Sequence, residues 1–313
     1  MSAELGHNIR IRRLAQDRGW KLSEYGLFAG ERLLAGKTEQ AVYRRLQLPW
    51  IPPELREDRG EVEAAQDGTL PSLVELGDIR GDLQCHTVAS DGKNSIREMA
   101  EAARELGYGY LAITDHSKRV TMAGGLDDEQ TLRHADAIRE VGATLGGFRL
   151  LAGMEVDVLR DGELDLAPKT LESLDWVIAA VHYDLQLDRA SMTDRLVAAV
   201  RSGLIHAIAH PTGRIIGRRE GLLFDADAVL EACAEHGVCL EINAAPDRLD
   251  LPDHLCKRAK EAGVRFTIST DAHSVAGLGF MKYGLHVARR GWLEKGDVLN
   301  TKATKAFESA IRR

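Results

Sequence analysis

The sequence predicts an α/β protein: a distorted seven-stranded (β/α)7 barrel of the triosephosphate-isomerase type, preceded by a small α+β segment. Three observations predict it. From residue 78 onward, short apolar runs alternate with longer stretches of helical period, the signature of parallel strands joined by helices. The runs are "DLQCHT", "YLAIT", "RLLAGMEV", "WVIAAVH", "LIHAIAH", "VCLEIN" and "RFTIST", one strand short of the usual barrel. Each run ends in a side chain that can bind metal or move a proton, and parallel barrels gather their carboxyl strand ends at one mouth. An open doubly wound sheet is the alternative that the same alternation allows.

Residues 1–77 read differently. "HNIRIRRLAQDRGW" is a short basic helix stopped by Gly19. "KLSEYGLFAGERLLAG" alternates and turns at Ala29-Gly30, which predicts a hairpin. "TEQAVYRRL" is a second helix with Thr38 as its N-cap. "PWIPPELREDRGE" is too rich in proline to be regular throughout, and "QDGTLPSLVELGD" connects to the barrel. In residues 78–313 the intervening helices include "SIREMAEAARELG" and "DADAVLEACAEHG".

Composition excludes several classes. At 313 residues and 44% hydrophobic content the chain can bury a large core. No apolar run reaches the roughly 18 residues of a membrane-spanning helix, and Arg10, Arg12 and Arg13 break any secretory signal pattern. The net charge of −7 argues against a broad basic surface for nucleic acid, although bound divalent cations would offset acidic groups locally. Cys85, Cys233, Cys239 and Cys256 form no CxxC pair, so they are expected to be reduced and buried in a cytoplasmic protein.

The strand ends carry the chemistry. In "GDLQCHTVASDG" the two-residue period puts Gln84 and His86 on one face, with Asp91 in the loop that follows. The later ends supply Asp115 and His116, Glu155 and Asp157, His182, His210, Glu241 and Asn243, and Asp271 with His273. One histidine at a strand end is usually structural, but histidines at five separate ends argue for metal. Imidazole with carboxylate suits Zn²⁺, Mn²⁺ or Fe²⁺, and there are too many donors for a single ion. Glu155 is the natural bridge. Asp115 is expected to support ligands rather than bind; Asp82 and Asp157 could either bind or support, and Glu241 is expected to touch substrate or a ligand. His7, His134, His206, His236, His254 and His286 fall in predicted helices, loops or a strand interior and are not expected to bind metal.

These segments, with "AITDHS", "GMEVDV", "AAVHYDL", "AHPTGRIIGRR", "LEINAAPDRLDL" and "STDAHS", resemble the polymerase-and-histidinol-phosphatase (PHP) domain. The resemblance covers residues 78–313 and is to the version attached to bacterial family X DNA polymerases. "HNIRIRRLA", "KLSEYGLF" and "LPWIPPELREDRGEVEAA" resemble the end of the polymerase thumb and its linker. No nucleotidyltransferase segment with paired aspartates stands upstream in this sequence, so a polymerase is not expected unless the chain is part of a longer protein. The resemblance implies three divalent ions: the first on Gln84, His86, Glu155 and Asp271, the second on Glu155, His182 and His210, the third on Asp91, His116 and His273. The family pattern is His-x-His where this chain has Gln84. A neutral amide oxygen is the weaker ligand, so looser binding or a preference for Mn²⁺ is expected at the first ion.

The implied reaction is hydrolysis of phosphate mono-, di- or triesters by metal-activated hydroxide attack at phosphorus, on a small molecule or a DNA 3′ end. Glu155 and His182 are the expected catalytic ligands, and Arg214 and Arg218 the expected phosphate-binding groups on the loop after His210. The alternatives are a 3′–5′ exonuclease or 3′-phosphatase, and a non-catalytic interaction module stabilised by metal. An amidohydrolase is disfavoured, since Glu155 stands where that family's carboxylated lysine would bridge.

Overall fold

In the computed structural model, which describes residues 3–312, the chain parts between Ser72 and Leu73 into two compact units. The first begins with α1 (Ala3–Gln16), followed by a meander of β1 (Lys21–Ser23), β2 (Gly26–Ala29) and β3 (Arg32–Ala35). The expected hairpin gains a third strand because the chain also turns at Gly26. That residue sits at φ +129°, and a Cβ there would lie 2.6 Å from the Ala35 carbonyl oxygen. Helix α2 (Glu39–Arg45) starts where Thr38 accepts a hydrogen bond from the Ala41 amide, and α3 (Glu61–Asp67) follows. A buried relay ties the three helices together: His7 Nδ1 lies 2.6 Å from Glu61 Oε1, and His7 Nε2 lies 2.8 Å from the Tyr43 hydroxyl.

The second unit is one seven-stranded parallel sheet in simple sequence order. Its strands are β4 (Gly81–Asp82), β5 (Tyr110–Ile113), β6 (Arg149–Asp157), β7 (Trp176–Ala180), β8 (Ala207–Ile208), β9 (Cys239–Asn243) and β10 (Phe266–Ser269). Around them run α4 (Ile96–Glu105), α5 (Asp128–Ala143), α6 (Pro168–Glu172), α7 (Arg189–Arg201), α8 (Ala226–His236), α9 (Asp253–Glu261), α10 (Met281–Arg290) and α11 (Thr304–Ala310). Sequence sets the helix starts. Ser95 and Glu98 form a capping box at α4, Asp127 and Gln130 another at α5, and Asp225 caps α8.

The two-residue period sorts the core into two layers. Leu111, Ile113, Leu150, Ala152, Val177 and Ala179 face the helices. Tyr110, Ala112, Leu151, Trp176, Ile178 and Ala180 face inward, and Phe307 of α11 stacks on Tyr110 at 4.4 Å to close the amino end. Toward the carboxyl end the inward positions become polar. In β6 the inward series continues from Leu151 through Gly153 to Glu155 and Asp157; in β9 it runs from Cys239 to Glu241 and Asn243.

The sheet is nearly closed into a barrel, and the seam between β4 and β10 is sewn by particular residues. Asn300 donates to the carbonyls of Gly81 and Ile268, each at 2.8 Å, and accepts from the Ile268 amide at 3.0 Å. Cys85 bridges Ala272, and the His86 amide donates to the Ala272 carbonyl at 2.8 Å. Of the expected run 82–87 only Asp82, with Gly81 before it, pairs as regular strand; the next residues cross to Ala272 instead. All four cysteines are free and buried. No helix among the described residues is long and apolar enough to cross a membrane.

Candidate metal centre

The carboxyl ends of the strands deliver their polar side chains into one cup. Past β4, Gln84 and His86 point inward, and a tight turn returns Asp91 beside them. Gly92 permits that turn: its amide donates to the Thr87 carbonyl at 2.9 Å, and a Cβ on it would lie 2.5 Å from the His86 carbonyl oxygen. Asp115 holds the loop in place, accepting from the Thr87 amide at 2.8 Å, the Thr87 hydroxyl at 2.7 Å and the Ser90 hydroxyl at 2.5 Å. His134, reaching over from α5, sits 2.8 Å from the same carboxylate. Asp115 and His134 therefore brace the cup from outside it.

Glu155 stands at the centre. Its Oε1 lies 2.8 Å from His210 Nε2 and 3.5 Å from His182 Nε2. Its Oε2 lies 3.0 Å from His116 Nδ1 and 3.5 Å from His86 Nε2. Asp271 Oδ1 is 3.0 Å from His86 Nε2 and 3.5 Å from the Gln84 amide nitrogen. Asp91 faces His116 at 3.5 Å and His273 at 3.4 Å. Residues spread from 84 to 273 thus meet in one contiguous cluster.

Two groups within it present ligand atoms lying within 4.8 Å of one another: His86, Asp91, His116 and His273, and His116, Glu155 and His182. Buried atoms of the cluster lack hydrogen-bond partners among the described residues: Gln84 Oε1, His86 Nδ1, His116 Nδ1, Glu155 Oε2 and His210 Nδ1. Orphaned buried acceptors are costly, and divalent cations satisfy such oxygens and nitrogens. This donor set fits divalent metal. Backbone strain marks the same place: His210 at φ +28° and Asp271 at φ +53° occupy the left-handed region that glycine favours.

The electrostatics are those of a cation site filled by protons. Burial disfavours the charged imidazole of His116, but Glu155 and Asp91 outweigh it and raise its pKa to about 11. His273, likewise opposed by burial, is raised to about 9 by Asp91 and Asp271. Glu155 is buried and Asp91 partly exposed; desolvation by itself would raise both, yet the surrounding imidazoles hold both carboxyls below their ordinary range. His210 behaves oppositely: burial and the nearby Arg248 cation lower it to about 4, leaving the ring neutral, as a ligand must be.

Supporting residues surround the cluster. Asp157 Oδ1 accepts from both the amide and Nδ1 of His182, each at 3.0 Å, which directs His182 Nε2 toward Glu155. Glu241 accepts from the His210 amide at 2.7 Å and from the Asn243 side chain at 3.2 Å. Burial, reinforced by Asp271, pushes its carboxyl well above the usual range. Arg214 donates through Nε to the Arg248 carbonyl at 2.9 Å and through a second nitrogen to the Leu249 carbonyl; Arg218 is exposed. The guanidinium that stands at the cluster is Arg248, with Nε 3.6 Å from Asp271 Oδ2. Arg119 pairs with Asp157 at 3.0 Å. Neither arginine stands out in the sequence, because a loop guanidinium carries no periodic signal.

Family comparison agrees with this geometry: the PHP domain profile matches residues 82–245. The chain belongs to the PHP domain family. A DNA polymerase beta thumb profile matches residues 4–57. The DNA polymerase/3′-5′ exonuclease PolX of Bacillus subtilis (strain 168) is 42% identical over 309 residues, 98% of this chain and 54% of that protein. The PHP chain thus spans about half the length of that relative. A probable phosphatase of Photobacterium profundum is 30% identical, covering 63% of this chain and 80% of its own length. The crystal structure of histidinol phosphate phosphatase from Lactococcus lactis aligns at a TM-score of 0.46 and 16% identity, over 67% of this chain and 93% of that one.

Proposed function

We propose that this PHP chain is a metal-dependent phosphoesterase that hydrolyses phosphate esters in the cup at the carboxyl end of its barrel. The observation that carries the reading is the placement of Glu155: one buried carboxylate with His182 and His210 on one oxygen and His86 and His116 on the other. The probable phosphatases among its relatives support it.

Three ions, Zn²⁺ or Mn²⁺, match the donors: Gln84, His86, Glu155 and Asp271; Glu155, His182 and His210; Asp91, His116 and His273. Divalent ions so held supply water of lowered pKa and positive charge for in-line displacement at phosphorus. The chain's own residues do the rest. Glu155 would hold metal on both of its oxygens, and Asp157 fixes the orientation and tautomer of His182. Arg248 offers a forked donor to a nonbridging phosphoryl oxygen. Arg214 holds the backbone that carries Arg248.

A second reading, a 3′–5′ exonuclease or 3′-phosphatase acting on DNA ends, is favoured by the thumb match and by the Bacillus subtilis relative. One experiment separates them. Elemental analysis of chelator-free protein is combined with a panel of aryl phosphate mono-, di- and triesters and a 3′-labelled DNA. Stoichiometric metal with hydrolysis of aryl esters supports the phosphoesterase. Processing of the labelled DNA alone favours the exonuclease, and bound metal without turnover of any ester leaves only an interaction module.

A further inference from the structure

Arg119 lies on the rim of the cup, three residues past His116, and its guanidinium is held on two unequal edges. Nε faces Asp157 Oδ2 at 3.0 Å; Asp157 is fully buried, and its other oxygen is the one that orients His182. Nη2 faces Asp184 Oδ2 at 2.7 Å, and both side chains of that pair are about one-third exposed. Nη1 has no partner among the described residues. The Tyr183 ring packs against the guanidinium at 5.4 Å.

The loop carrying Asp184 is held at a cost. Asp184 sits at φ +53°, where a side chain is strained. Beneath it Arg195, fully buried, spends its guanidinium on the carbonyls of Tyr183, Asp184 and Val158 rather than on a carboxylate. A desolvated cation committed to backbone carbonyls fixes where Asp184 stands. The ion pair with buried Asp157 anchors the arginine, whereas the solvent-accessible pair with Asp184 contributes little and exchanges readily.

The outer edge, Nη1 with the Nη2 that Asp184 holds, is the planar fork that matches two oxygens of a phosphoryl group. It sits one carboxylate away from a proposed ligand of the ion cluster. We propose that Arg119 binds the terminal, doubly charged phosphoryl group of a phosphate monoester, and that Asp184 is the exchangeable carboxylate that holds the guanidinium until substrate displaces it. The inference rests on the phosphoesterase reading and adds selectivity to it. A monoester dianion displaces Asp184 better than a diester monoanion does, because it brings the second charge.

The test uses the metal-loaded full chain, with steady-state kinetics on 4-nitrophenyl phosphate and bis(4-nitrophenyl) phosphate and calorimetric titration with inorganic phosphate. Arg119→Gln is expected to raise KM for the monoester, and to weaken phosphate binding, by about tenfold to a hundredfold. kcat and metal content should move much less, and KM for the diester should barely change. Arg119→Lys recovers only part of the loss, since it keeps the charge without the fork. Asp184→Asn acts in the opposite direction, tightening phosphate and lowering KM for the monoester. An unchanged monoester-to-diester KM ratio in Arg119→Gln overturns the inference. So does an Asp184→Asn variant that weakens phosphate as Arg119→Gln does, which would reduce the pair to a support for the loop. A wild-type chain that binds metal but hydrolyses neither ester overturns the phosphoesterase reading itself, a result distinct from the other two.

Discussion

Asp157 grips His182 twice, accepting from its backbone amide and from its Nδ1 through a single carboxylate oxygen at 3.0 Å each. The imidazole is thereby fixed with Nδ1 protonated and Nε2 turned to Glu155. Asp157→Asn keeps the shape but offers only one oxygen to these donors and to Arg119. Turnover is expected to fall about tenfold to a hundredfold, with weaker binding of the ion at His182. Kinetics together with metal stoichiometry check it; unchanged values would show that Asp157 does not set the orientation.

Glu155 is the common neighbour of four imidazoles, and no other carboxylate among the described residues faces as many. Glu155→Gln retains the volume but removes the charge and turns one oxygen into a donor. At least one ion should be lost per chain, and turnover should drop by more than the roughly hundredfold typical of an outer support residue. Elemental analysis and ester hydrolysis measure both. Full activity in Glu155→Ala would end the phosphoesterase proposal.

Much of this cup is legible in the sequence because parallel strands buried on both faces read as unbroken apolar runs. "WVIAA" and "YLAI" are such runs, and they make the polar residue that ends each one conspicuous. What escapes the sequence lacks that contrast. Arg248 lies five residues beyond Asn243 in an irregular loop, and only the fold brings it to Asp271. His134 occupies a helix position that periodicity assigns to a surface, yet it reaches Asp115. The extra strand of the amino-terminal meander hangs on the conformation of one residue, Gly26, that apolar pattern does not encode. Arg214 shows the converse: proximity in sequence to His210 points it toward phosphate, while its hydrogen bonds go to backbone carbonyls.

Gln84 offers the cluster an amide oxygen that has no other partner among the described residues, while its nitrogen leans on Asp271 at 3.5 Å. Gln84→His would exchange a neutral oxygen for an imidazole. Zinc binding is expected to tighten by about tenfold, or ~1.4 kcal/mol, while Mn²⁺ gains less. Competition titrations with a chromogenic chelator measure it. Unchanged affinity and activity would remove Gln84 from the set of ligands.

Metal binding should release protons. Metal-free His116 and His273, raised to about 11 and about 9, carry protons at neutral pH, and a ligand nitrogen must lose its proton to bind. Affinity therefore rises with pH, by about tenfold per unit for each proton released. For the metal-free protein the sign reverses. These raised pKa values stabilise the fold fully below the ordinary histidine range, and that contribution is lost as pH rises through about 9 and then about 11. Calorimetry in buffers of different ionisation enthalpy counts the protons, and a count of zero would refute the protonated description of the cluster.

Asn300 closes the barrel with a single side chain, bonding Gly81 on one edge strand and both backbone groups of Ile268 on the other, all in the dry interior. Asn300→Leu would fill a similar volume while leaving those buried backbone groups unpaired. Each unpaired group costs about 1–3 kcal/mol, so a loss of ~3 kcal/mol or more is expected, seen as a lower urea midpoint. The same substitution loosens the span from Gln84 to Asp271, whose backbones meet at that seam with the Asp271 amide 3.0 Å from the Gln84 carbonyl. Affinity for metal held by Gln84 and Asp271, as proposed, should therefore fall, while binding by His182 and His210 should be less affected. A variant that unfolds at the wild-type urea concentration would show that the seam holds without Asn300. One that loses stability but no metal affinity would show that closure of the barrel and geometry of the cup are independent.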